Sequence, residues 1–343
     1  MLSVYGNTSV KINCLAIQIN PDKVTVKNLV FLSYGSSSGY YRAIYSILSL
    51  AAWVKEKINN FRLIVYTDQP EFFKTYLDGF NITYIMLSPE MLTEMLAGTG
   101  FIHRRKVAVI DLTFKNFPDE DLVFIDSDSF FTNEPKPFFA ESDDAVSLMH
   151  VKEYDLDGGL RLFNLFGQGQ YPQAFIEYIS DRTFLIRGQP MVFSTKDYSW
   201  NSGIIGLTKN FSSYMKDVVK LTDEFYAYSK WFVSEQLAFS FILQRTTTIK
   251  SADSFVTHYW GPHQRILVDK IITRLITTQS FSDFKNSKFI RSSTTRLRHM
   301  VECDLIYEQL KIALRQRDFI YTTKKVIQLL FLKIFHISIR KRK

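Results

Sequence analysis

The 343-residue sequence contains only two cysteines, Cys14 and Cys303. Two cysteines cannot build a disulfide framework, and neither stands in a CxxC or Cys/His cluster of the kind that binds zinc. A positively charged N-terminal region followed by an apolar run is also missing, because Lys11 and Asn13 interrupt the apolar residues there. A signal peptide is therefore not predicted, and the sequence favours a reducing, cytoplasmic compartment.

The sequence also has no long Gly/Ser or Pro tract and no clear internal repeat, which excludes low-complexity segments. Apolar residues are plentiful at 46%, with 30 Phe and 18 Tyr. A chain of this length and composition is predicted to bury a sizeable core in one large α/β domain or a domain with an appended lobe. Aromatic residues beyond the needs of the core also suit sites that stack on sugar and base rings.

Excess positive charge is scarce outside the C-terminal part of the chain. Residues 285–343 carry fifteen Lys/Arg against four Asp/Glu, a net of +11, although the whole chain has a net charge of only +8. Residues 1–284 therefore carry a net of −3, and no nucleic-acid-binding surface is predicted there. The concentration of positive charge indicates a local anionic partner for the C-terminal region.

The apolar pattern up to residue 125 alternates between strands and helices. The predicted strands are Asn28–Tyr34, Phe61–Tyr66, Ile82–Leu87 and Leu122–Ile125, and the predicted helices are Tyr40–Lys57, Glu71–Leu77 and His103–Lys115. This alternation predicts a mostly parallel sheet with helices on both faces.

Outside that region the pattern is looser. Residues 1–27 are predicted as an edge strand or a flexible start, and Asp155–Gln170, with four glycines, is predicted to be rich in loops. Later elements are predicted as strands at Val146–His150, within Tyr198–Leu207 and at Ser254–Trp260, and as helices at Phe211–Tyr228, Ser234–Gln244 and over most of the chain from 264.

Polar or aromatic side chains mark the ends of three predicted strands: Tyr34, Asp68 and Asp126. In open parallel sheets, ligands bind beyond the carboxyl ends of the strands. These residues are therefore expected to converge on one crevice.

The segment Asp126-Ser127-Asp128 follows a buried strand directly. Two carboxylates two residues apart can both reach a hard cation such as Mg²⁺ or Mn²⁺, and such an ion would neutralise the diphosphate of a nucleotide. The alternative is a solvated acidic turn. The apolar strand before the pair and Phe130-Phe131 after it favour the metal site.

Four short motifs then occur in order over about residues 28–263: VFIDSDSFF, WNSGIIGL, SEQLAF and the late histidine of THYWG. Together they resemble the GT-A-fold glycosyltransferases, and among them the family 8-like group with its YLDxD, NSG, DQ and late-His elements. The resemblance implies a GT-A (Rossmann-like) catalytic domain over 1–265 and a basic helical region over 266–343. It further implies metal-assisted transfer of a sugar from a UDP-sugar to a hydroxyl of a carbohydrate or glycolipid, with retention of configuration.

Carried over residue by residue, the resemblance implies a metal site. Asp126 and Asp128 would bind the cation, Mn²⁺ or Mg²⁺, and Ser127 would lie against the nucleotide-sugar. His258 would be the third metal ligand, with His263 as its competitor. The family has a lysine after the late histidine that this chain lacks, and Arg265 is the candidate substitute.

The resemblance also implies the residues around the donor. Tyr34 would stack on the uracil and Asp68 would accept hydrogen bonds from the base. A basic residue before the aspartates would approach the nucleotide or bridge to the aspartates, and Arg105 is favoured over Arg104 and Lys106. Asn201 and Gly203 would form the turn that contacts the donor sugar or the acceptor. Glu235, which stands where the family has Asp, would orient the acceptor hydroxyl or stabilise positive charge on the sugar.

The segment Lys324–Lys343 has seven Lys/Arg and no acidic residue. Its apolar residues are too few and too interrupted to span a bilayer. The pattern predicts an interfacial helix that places the protein on the inner face of a membrane, with its basic end on anionic headgroups. The alternative is a helix packed on the catalytic domain with a solvated basic terminus.

Two other functions remain open on the sequence. A phosphatase or phosphotransferase of the haloacid dehalogenase type also ends a strand on DxD, but that pattern lies in the first strand and favours Thr or Val where this chain has Phe130. In a non-catalytic protein that binds a membrane surface, the aspartates would only cap a turn.

Overall fold

The structure, a computed structural model, describes residues 27–278 and 286–341. The predicted edge strand or flexible start and Cys14 therefore lie outside the described residues, apart from Lys27. The described strands are β1 (Lys27–Leu32), β2 (Phe61–Thr67), β3 (Ile82–Met86), β4 (Leu122–Asp126), β5 (Ser129–Phe131), β6 (Val146–Met149), β7 (Lys152–Asp155), β8 (Thr183–Ile186), β9 (Gln189–Val192), β10 (Tyr198–Trp200), β11 (Ile204–Leu207), β12 (Thr248–Ser251) and β13 (Val256–His258).

The described α-helices flank these strands. They are α1 (Ser37–Val54), α2 (Pro70–Leu77), α3 (Pro89–Glu94), α4 (Arg104–Asn116), α5 (Leu156–Asn164), α6 (Gln170–Ile179), α7 (Met215–Ser229), α8 (Ser234–Thr246), α9 (Pro262–Thr278), α10 (Ser287–Arg315) and α11 (Phe319–Lys341). Short 3₁₀ helices span Lys55–Asn60, Lys136–Phe139 and Lys209–Tyr214.

A seven-stranded sheet forms the centre of the fold, in the order β12-β6-β11-β4-β1-β2-β3. All neighbouring strands pair in parallel except β11, which runs antiparallel to both β4 and β6. Successive residues of β1 face opposite cores: Leu29 and Phe31 pack with α1, whereas Val30 packs with α4 and α8. Because both faces are covered, these strands are continuous apolar runs in the sequence.

The predicted fold class is confirmed: a mostly parallel sheet lies between helices, and a helical region follows it. The loop-rich prediction for Asp155–Gln170 is wrong, since α5 occupies most of that segment. Asp155 caps α5 by accepting a hydrogen bond from the Gly158 amide at 2.7 Å. A Cβ at Gly159 would come within 2.8 Å of the Tyr154 ring, so glycine serves close packing there and does not break the helix.

The C-terminal helices share a core with the sheet. Val268, Ile272 and Ile276 of α9 are buried in the same apolar cluster as α1, and α10 adds Ile290 and Leu297. An ion pair between Arg42 of α1 and Asp269 of α9 joins the same two helices. The predicted domain boundary between residues 265 and 266 falls within α9, and the division into two domains stays a prediction. None of the helices that the structure describes is long and apolar enough to cross a bilayer.

Candidate metal and nucleotide site

The candidate site lies at the edge where β1, β2 and β4 end and β11 begins. Leu32 of β1 pairs with Asp126 of β4. The Asp126 amide donates to the Gly203 carbonyl at 2.9 Å, which ties the DSD segment to the NSG turn. Backbone pairing in the sheet therefore places these two motifs side by side.

Three of the predicted metal ligands come together. Asp126, Asp128 and His258 each offer one ligand atom, and these atoms lie within 4.8 Å of one another. The His258 Nε2 atom is 3.1 Å from an Asp128 oxygen and 3.9 Å from an Asp126 oxygen. Pairing of β13 with β5 sets His258 opposite Ser129, next to Asp128 in the chain.

His263, the competing candidate, lies elsewhere. Its Nδ1 atom is 2.6 Å from Asp304 on α10, and its side chain is 73% exposed. Within the described residues, the structure thus brings His258 and not His263 to the aspartates. That His258 binds a cation stays a prediction.

A buried lysine neutralises the first aspartate. Lys106 Nζ lies 2.6 Å from Asp126 Oδ2 and 3.6 Å from Glu235 Oε1, and it donates to the Ser202 hydroxyl at 3.0 Å. Burial by itself would lower the pKa of Lys106, but the charges of Asp126 and Glu235 outweigh it and raise the pKa. Lys106 is therefore a permanent cation in the site.

An arginine neutralises the second aspartate. Arg265, in the first turn of α9, donates from Nε and Nη2 to Asp128 Oδ2 at 2.8 and 2.5 Å. Burial would raise the pKa of the Asp128 carboxyl, yet His258 and Arg265 hold that pKa well below its usual range. Asp128 is therefore ionised and available as a ligand.

The three consecutive basic residues of α4 separate by function. Arg104 pairs with Asp223 of α7 at 2.6 Å. Arg105 donates to the Leu92 carbonyl and lies over the Tyr34 ring at 4.8 Å. The bridge to the aspartates comes from Lys106, which the sequence reasoning placed behind Arg105; contact of Arg105 with a nucleotide stays a prediction.

A signal for Lys106 is present in the sequence. Lys106, Val109, Ile110 and Thr113 are all buried, at the spacing i, i+3, i+4, i+7 of one helix face. A lysine on the inward face of an amphipathic helix requires a buried partner. The helical periodicity of α4 therefore identifies Lys106, among the three basic residues, as the one with a buried partner.

Tyr34 and Asp68 lie just past the ends of β1 and β2, as predicted. Asp68 accepts hydrogen bonds from the Gly35 amide at 3.0 Å and from the Tyr40 hydroxyl at 2.8 Å. It therefore fixes the loop that carries Tyr34. Stacking of Tyr34 on a base and recognition of the base by Asp68 stay predictions, as does the contact predicted for Ser127 in the turn between β4 and β5.

The NSG turn contacts His258 directly. A Cβ at Gly203 would lie 2.3 Å from His258 Nδ1, so no side chain fits there while the ring holds this position. The Asn201 side chain contacts His258 Nδ1 at 2.7 Å through Oδ1 and donates to Glu153 at 3.0 Å through Nδ2. Behind this layer, the His150 ring lies edge-on to His258, with centroids 5.5 Å apart, and burial lowers the pKa of His150 to about 3.

Glu153 is a residue of the site that the sequence reasoning missed. It accepts hydrogen bonds from Ser199, Asn201 and Gln236. Burial raises the pKa of Glu153, and these hydrogen bonds oppose the shift. No sequence signal marks Glu153, because its position depends on the pairing of β7 with β10.

Glu235 and Gln236 open α8 at the same place. Glu235 is 3% exposed, and its Oε1 atom accepts from the Ser202 hydroxyl at 3.2 Å. Its Oε2 atom is buried and has no hydrogen-bond partner within the described part of the chain. A buried carboxylate oxygen without a donor is costly; contact of Glu235 with an acceptor hydroxyl or with the sugar stays a prediction.

The residues fit a divalent cation. Two carboxylates and one imidazole form a mixed oxygen and nitrogen donor set, and carboxylate oxygens are the ligands that Mg²⁺ and Mn²⁺ prefer. The donor atoms lie within 4.8 Å of one another, and two protein cations contact the same carboxylates: Lys106 at Asp126 Oδ2 and Arg265 at Asp128 Oδ2.

No protein-family model matches the sequence, and no curated protein matches it either. Among solved structures, the chain is similar to galactosyltransferase LgtC in complex with donor and acceptor sugar analogues: 14% identity, 74% of this chain and 96% of that chain covered, TM-score 0.45. It is also similar to a glycosyltransferase involved in glycosylation of the major capsid of PBCV-1, at 13% identity over 72% of this chain and 98% of that chain, TM-score 0.40. A third is glycosyltransferase GlyE of Streptococcus pneumoniae TIGR4, at 9% identity over 74% and 52%, TM-score 0.40. At such identities and scores, the assignment of function rests on the residues of the site.

Proposed function

We propose that this protein is a metal-dependent glycosyltransferase that moves a sugar from a UDP-sugar to a hydroxyl of a carbohydrate or glycolipid, with retention of configuration. The observation that carries the proposal is the cluster of Asp126, Asp128 and His258 at the carboxyl edge of the sheet. Such edges bind nucleotides in open α/β folds, and the cluster offers the ligands of a hard cation.

Each charged group of the site has a distinct task in this reaction. Asp126, Asp128 and His258 would hold Mn²⁺ or Mg²⁺, which when bound neutralises the negative charge of a diphosphate leaving group. Lys106 keeps Asp126 in place through its 2.6 Å ion pair. Arg265 is half-exposed at the mouth, so its guanidinium can turn from Asp128 to a phosphate oxygen.

The residues proposed to contact the sugar are Glu235, Asn201 and Gly203. Glu235 Oε2, buried and without a donor, would accept a hydrogen bond from a sugar hydroxyl. Asn201 and Gly203 line the same turn. On the opposite side, Tyr34 and Arg105 stack on each other beside the crevice and would bind the base.

Calorimetric titration of UDP with and without Mn²⁺ tests the metal site. Wild-type protein is expected to bind UDP only in the presence of the metal, and Asp128→Asn to weaken that binding at least about tenfold, since a neutral amide is a poor cation ligand. Asp119→Asn, an exposed aspartate after α4, is the matched control and should behave as wild type. Equal UDP binding by wild type and Asp128→Asn would show that the aspartates only cap a turn.

The donor is identified by measuring Mn²⁺-dependent hydrolysis across a set of UDP-sugars. The sugar that is hydrolysed fastest defines the donor, and proton NMR of the transferred anomer tests retention. Inversion of configuration would contradict the retaining mechanism and leave the metal site intact.

The last helix supports membrane association, the second part of the proposal. Its side chains with high exposure are Phe319, Ile320, Val326, Ile327, Leu330 and Phe331, between 40% and 74% exposed. At about 100° per residue they fall within one arc of roughly 140°, with Lys324 at its border. An apolar face bordered by Lys324 suits the headgroup region of an anionic bilayer. The predicted basic end from 333 onward lies beyond the described side chains.

Vesicle flotation tests this surface. Full-length protein is expected to float with vesicles that contain phosphatidylserine and to be released by high salt, since the attraction is screened. Leu330→Asp with Phe331→Asp should abolish flotation, whereas Leu185→Asp, equally exposed on β8, should not. Equal flotation of all three proteins would exclude the α11 face as the contact.

A further inference from the structure

We propose that Glu153 fixes the tautomer of His258 through the side-chain amide of Asn201, so that the Nε2 lone pair of the ring faces the cation. The inference rests on the proposed metal site and adds to it a positioning residue outside the ligand cluster. It follows from three hydrogen-bonding steps, of which the first two have a polarity fixed by a backbone N–H and by a carbonyl oxygen.

The first step fixes the Asn201 amide. The Gly203 backbone N–H can only donate, and it donates to Asn201 at 3.0 Å. The atom it meets must therefore be the carbonyl oxygen Oδ1, and the amide nitrogen Nδ2 must point the other way, toward Glu153. Main-chain hydrogen bonds of Asn201 to the carbonyl of Val151 and from the amide of His150 hold the residue in place.

The second step fixes the histidine. The same Oδ1 atom lies 2.7 Å from His258 Nδ1. A carbonyl oxygen accepts only, so Nδ1 must carry a proton. With Nδ1 protonated, Nε2 is the ring nitrogen that can give its lone pair to a cation. It lies 3.1 Å from Asp128 and 3.9 Å from Asp126, and in the absence of a cation it donates to Asp128.

The third step is the role of Glu153. Its Oε1 atom accepts from Asn201 Nδ2 at 3.0 Å, and its Oε2 atom accepts from Gln236 Nε2 at 2.9 Å and Ser199 Oγ at 3.2 Å. If the Asn201 amide turned over, a carbonyl oxygen would face the carboxylate and an NH₂ group would face the Gly203 N–H. Gly203 and Glu153 therefore clamp the amide from both sides. Groups that orient a ligating histidine in this way are typically worth 10–100-fold in metal affinity.

The test replaces the carboxylate by an amide of the same shape. In Glu153→Gln at least one of the three donors must lose its acceptor, because the new NH₂ group only donates: Asn201 if it replaces Oε1, or both Gln236 and Ser199 if it replaces Oε2. Mn²⁺ affinity, measured by calorimetry on the full chain, is expected to fall roughly tenfold. Glu177→Gln, an exposed carboxylate bonded to Gln173, is the matched control and should retain wild-type affinity.

A spectroscopic readout separates positioning from mere support of the fold. Nitrogen-15 NMR of histidine-labelled protein, assigned with His258→Gln, should show a protonated Nδ1 on His258 in wild type, both without metal and with diamagnetic Mg²⁺. In Glu153→Gln that proton should be lost or shared with Nε2. Glu153→Asp, which keeps a carboxylate, should restore the wild-type signature in part.

A paired substitution keeps the proposal testable if Glu153→Gln alone is poorly folded. Glu153→Gln with Asn201→Asp exchanges donor and acceptor across the same contact, while Asp still accepts from Gly203 and His258. The double variant should recover Mn²⁺ affinity to within about threefold of wild type, because the two changes couple directly. An unchanged His258 spectrum and unchanged Mn²⁺ affinity in Glu153→Gln would overturn the proposal. If the protein binds no Mn²⁺ but protonation of His258 Nδ1 still depends on Glu153, the proposed function is contradicted and the role of Glu153 is not.

Discussion

The two aspartates of the site are neutralised by two very different cations. Lys106 is 7% exposed and contacts Asp126, Glu235 and Ser202, all of them anchored in the sheet or α8. Arg265 is 42% exposed and holds Asp128 from the first turn of α9. Lys106 is therefore an interior cation, whereas Arg265 is partly exposed to solvent.

This difference shows which ligand atoms are free to change partner. Removing Lys106 would leave buried carboxylates without a counter-ion, which is strongly unfavourable. Moving Arg265 aside returns its guanidinium to solvent and leaves the buried Asp128 carboxylate with His258 as its partner. Under the proposed function, Asp126 would therefore be the fixed ligand, and Asp128 would be the ligand whose protein partner can move away.

The largest expected effect comes from removing the buried cation. Lys106→Met should lower the free energy of unfolding by about 3–5 kcal/mol, because Asp126 and Glu235 lose their buried partner. Urea unfolding followed by circular dichroism measures the change. Lys115→Met on the same helix removes an exposed partner of Asp111 and should cost under about 1 kcal/mol. Similar losses in both variants would mean that the buried Lys106–Asp126 pair stabilises the fold no more than the exposed Lys115–Asp111 pair does.

An intermediate effect is expected from filling the space next to His258. In Gly203→Ala the new methyl group would overlap the ring, so His258 must move away from Asp128. Crowding of this kind costs about 1–3 kcal/mol, and Mn²⁺ affinity by calorimetry should fall at least roughly tenfold. Gly261→Ala, where the nearest atom is the flexible end of Gln264, should leave the affinity unchanged. If Gly203→Ala binds Mn²⁺ normally, His258 does not belong to the metal site.

The smallest effect, and the sharpest for the comparison, concerns Arg265. Arg265→Ala should lower the free energy of unfolding by less than Lys106→Met does, since the guanidinium is partly exposed and His258 remains beside the buried Asp128 carboxylate. Mn²⁺ should bind about threefold more tightly without nucleotide, because Asp128 Oδ2 no longer has a competing cation. UDP should bind more weakly in the presence of Mn²⁺. Arg274→Ala, exposed on the same helix, is the control. Weaker Mn²⁺ binding or tighter UDP binding by Arg265→Ala would contradict a guanidinium that changes partner.

The sheet and most of its helices follow directly from the sequence. Strands covered on both faces leave unbroken apolar runs, so β1, β2 and β4 were predicted within two residues of their observed ends. Helix α5 was not predicted, because glycines in a helix count against it by about 1 kcal/mol each. Gly158 and Gly159 fit this helix because of two contacts, the hydrogen bond to the Asp155 cap and the close packing of the Tyr154 ring. Both contacts form only when the chain folds.

The residues of the candidate site also divide into those that local sequence patterns predict and those that depend on tertiary contacts. Asp126, Asp128, Asn201, Gly203 and Glu235 were found because they stand in short local motifs, and the structure brings these residues together at one edge. Lys106 was considered but ranked behind Arg105, and Glu153 was missed. The phase of α4 identifies Lys106 once it is considered, whereas Glu153 is positioned by strand pairing between distant segments, and no local pattern contains that information.

The missing side chain of Gly203 has a consequence for the history of this site. The His258 ring occupies the volume that any Cβ at residue 203 would take, so residue 203 cannot gain a side chain while His258 is in place. In a set of homologous sequences, residues larger than glycine at 203 should appear only together with a residue smaller than histidine at 258. The two positions, separated by more than fifty residues of chain, would then covary among homologous sequences.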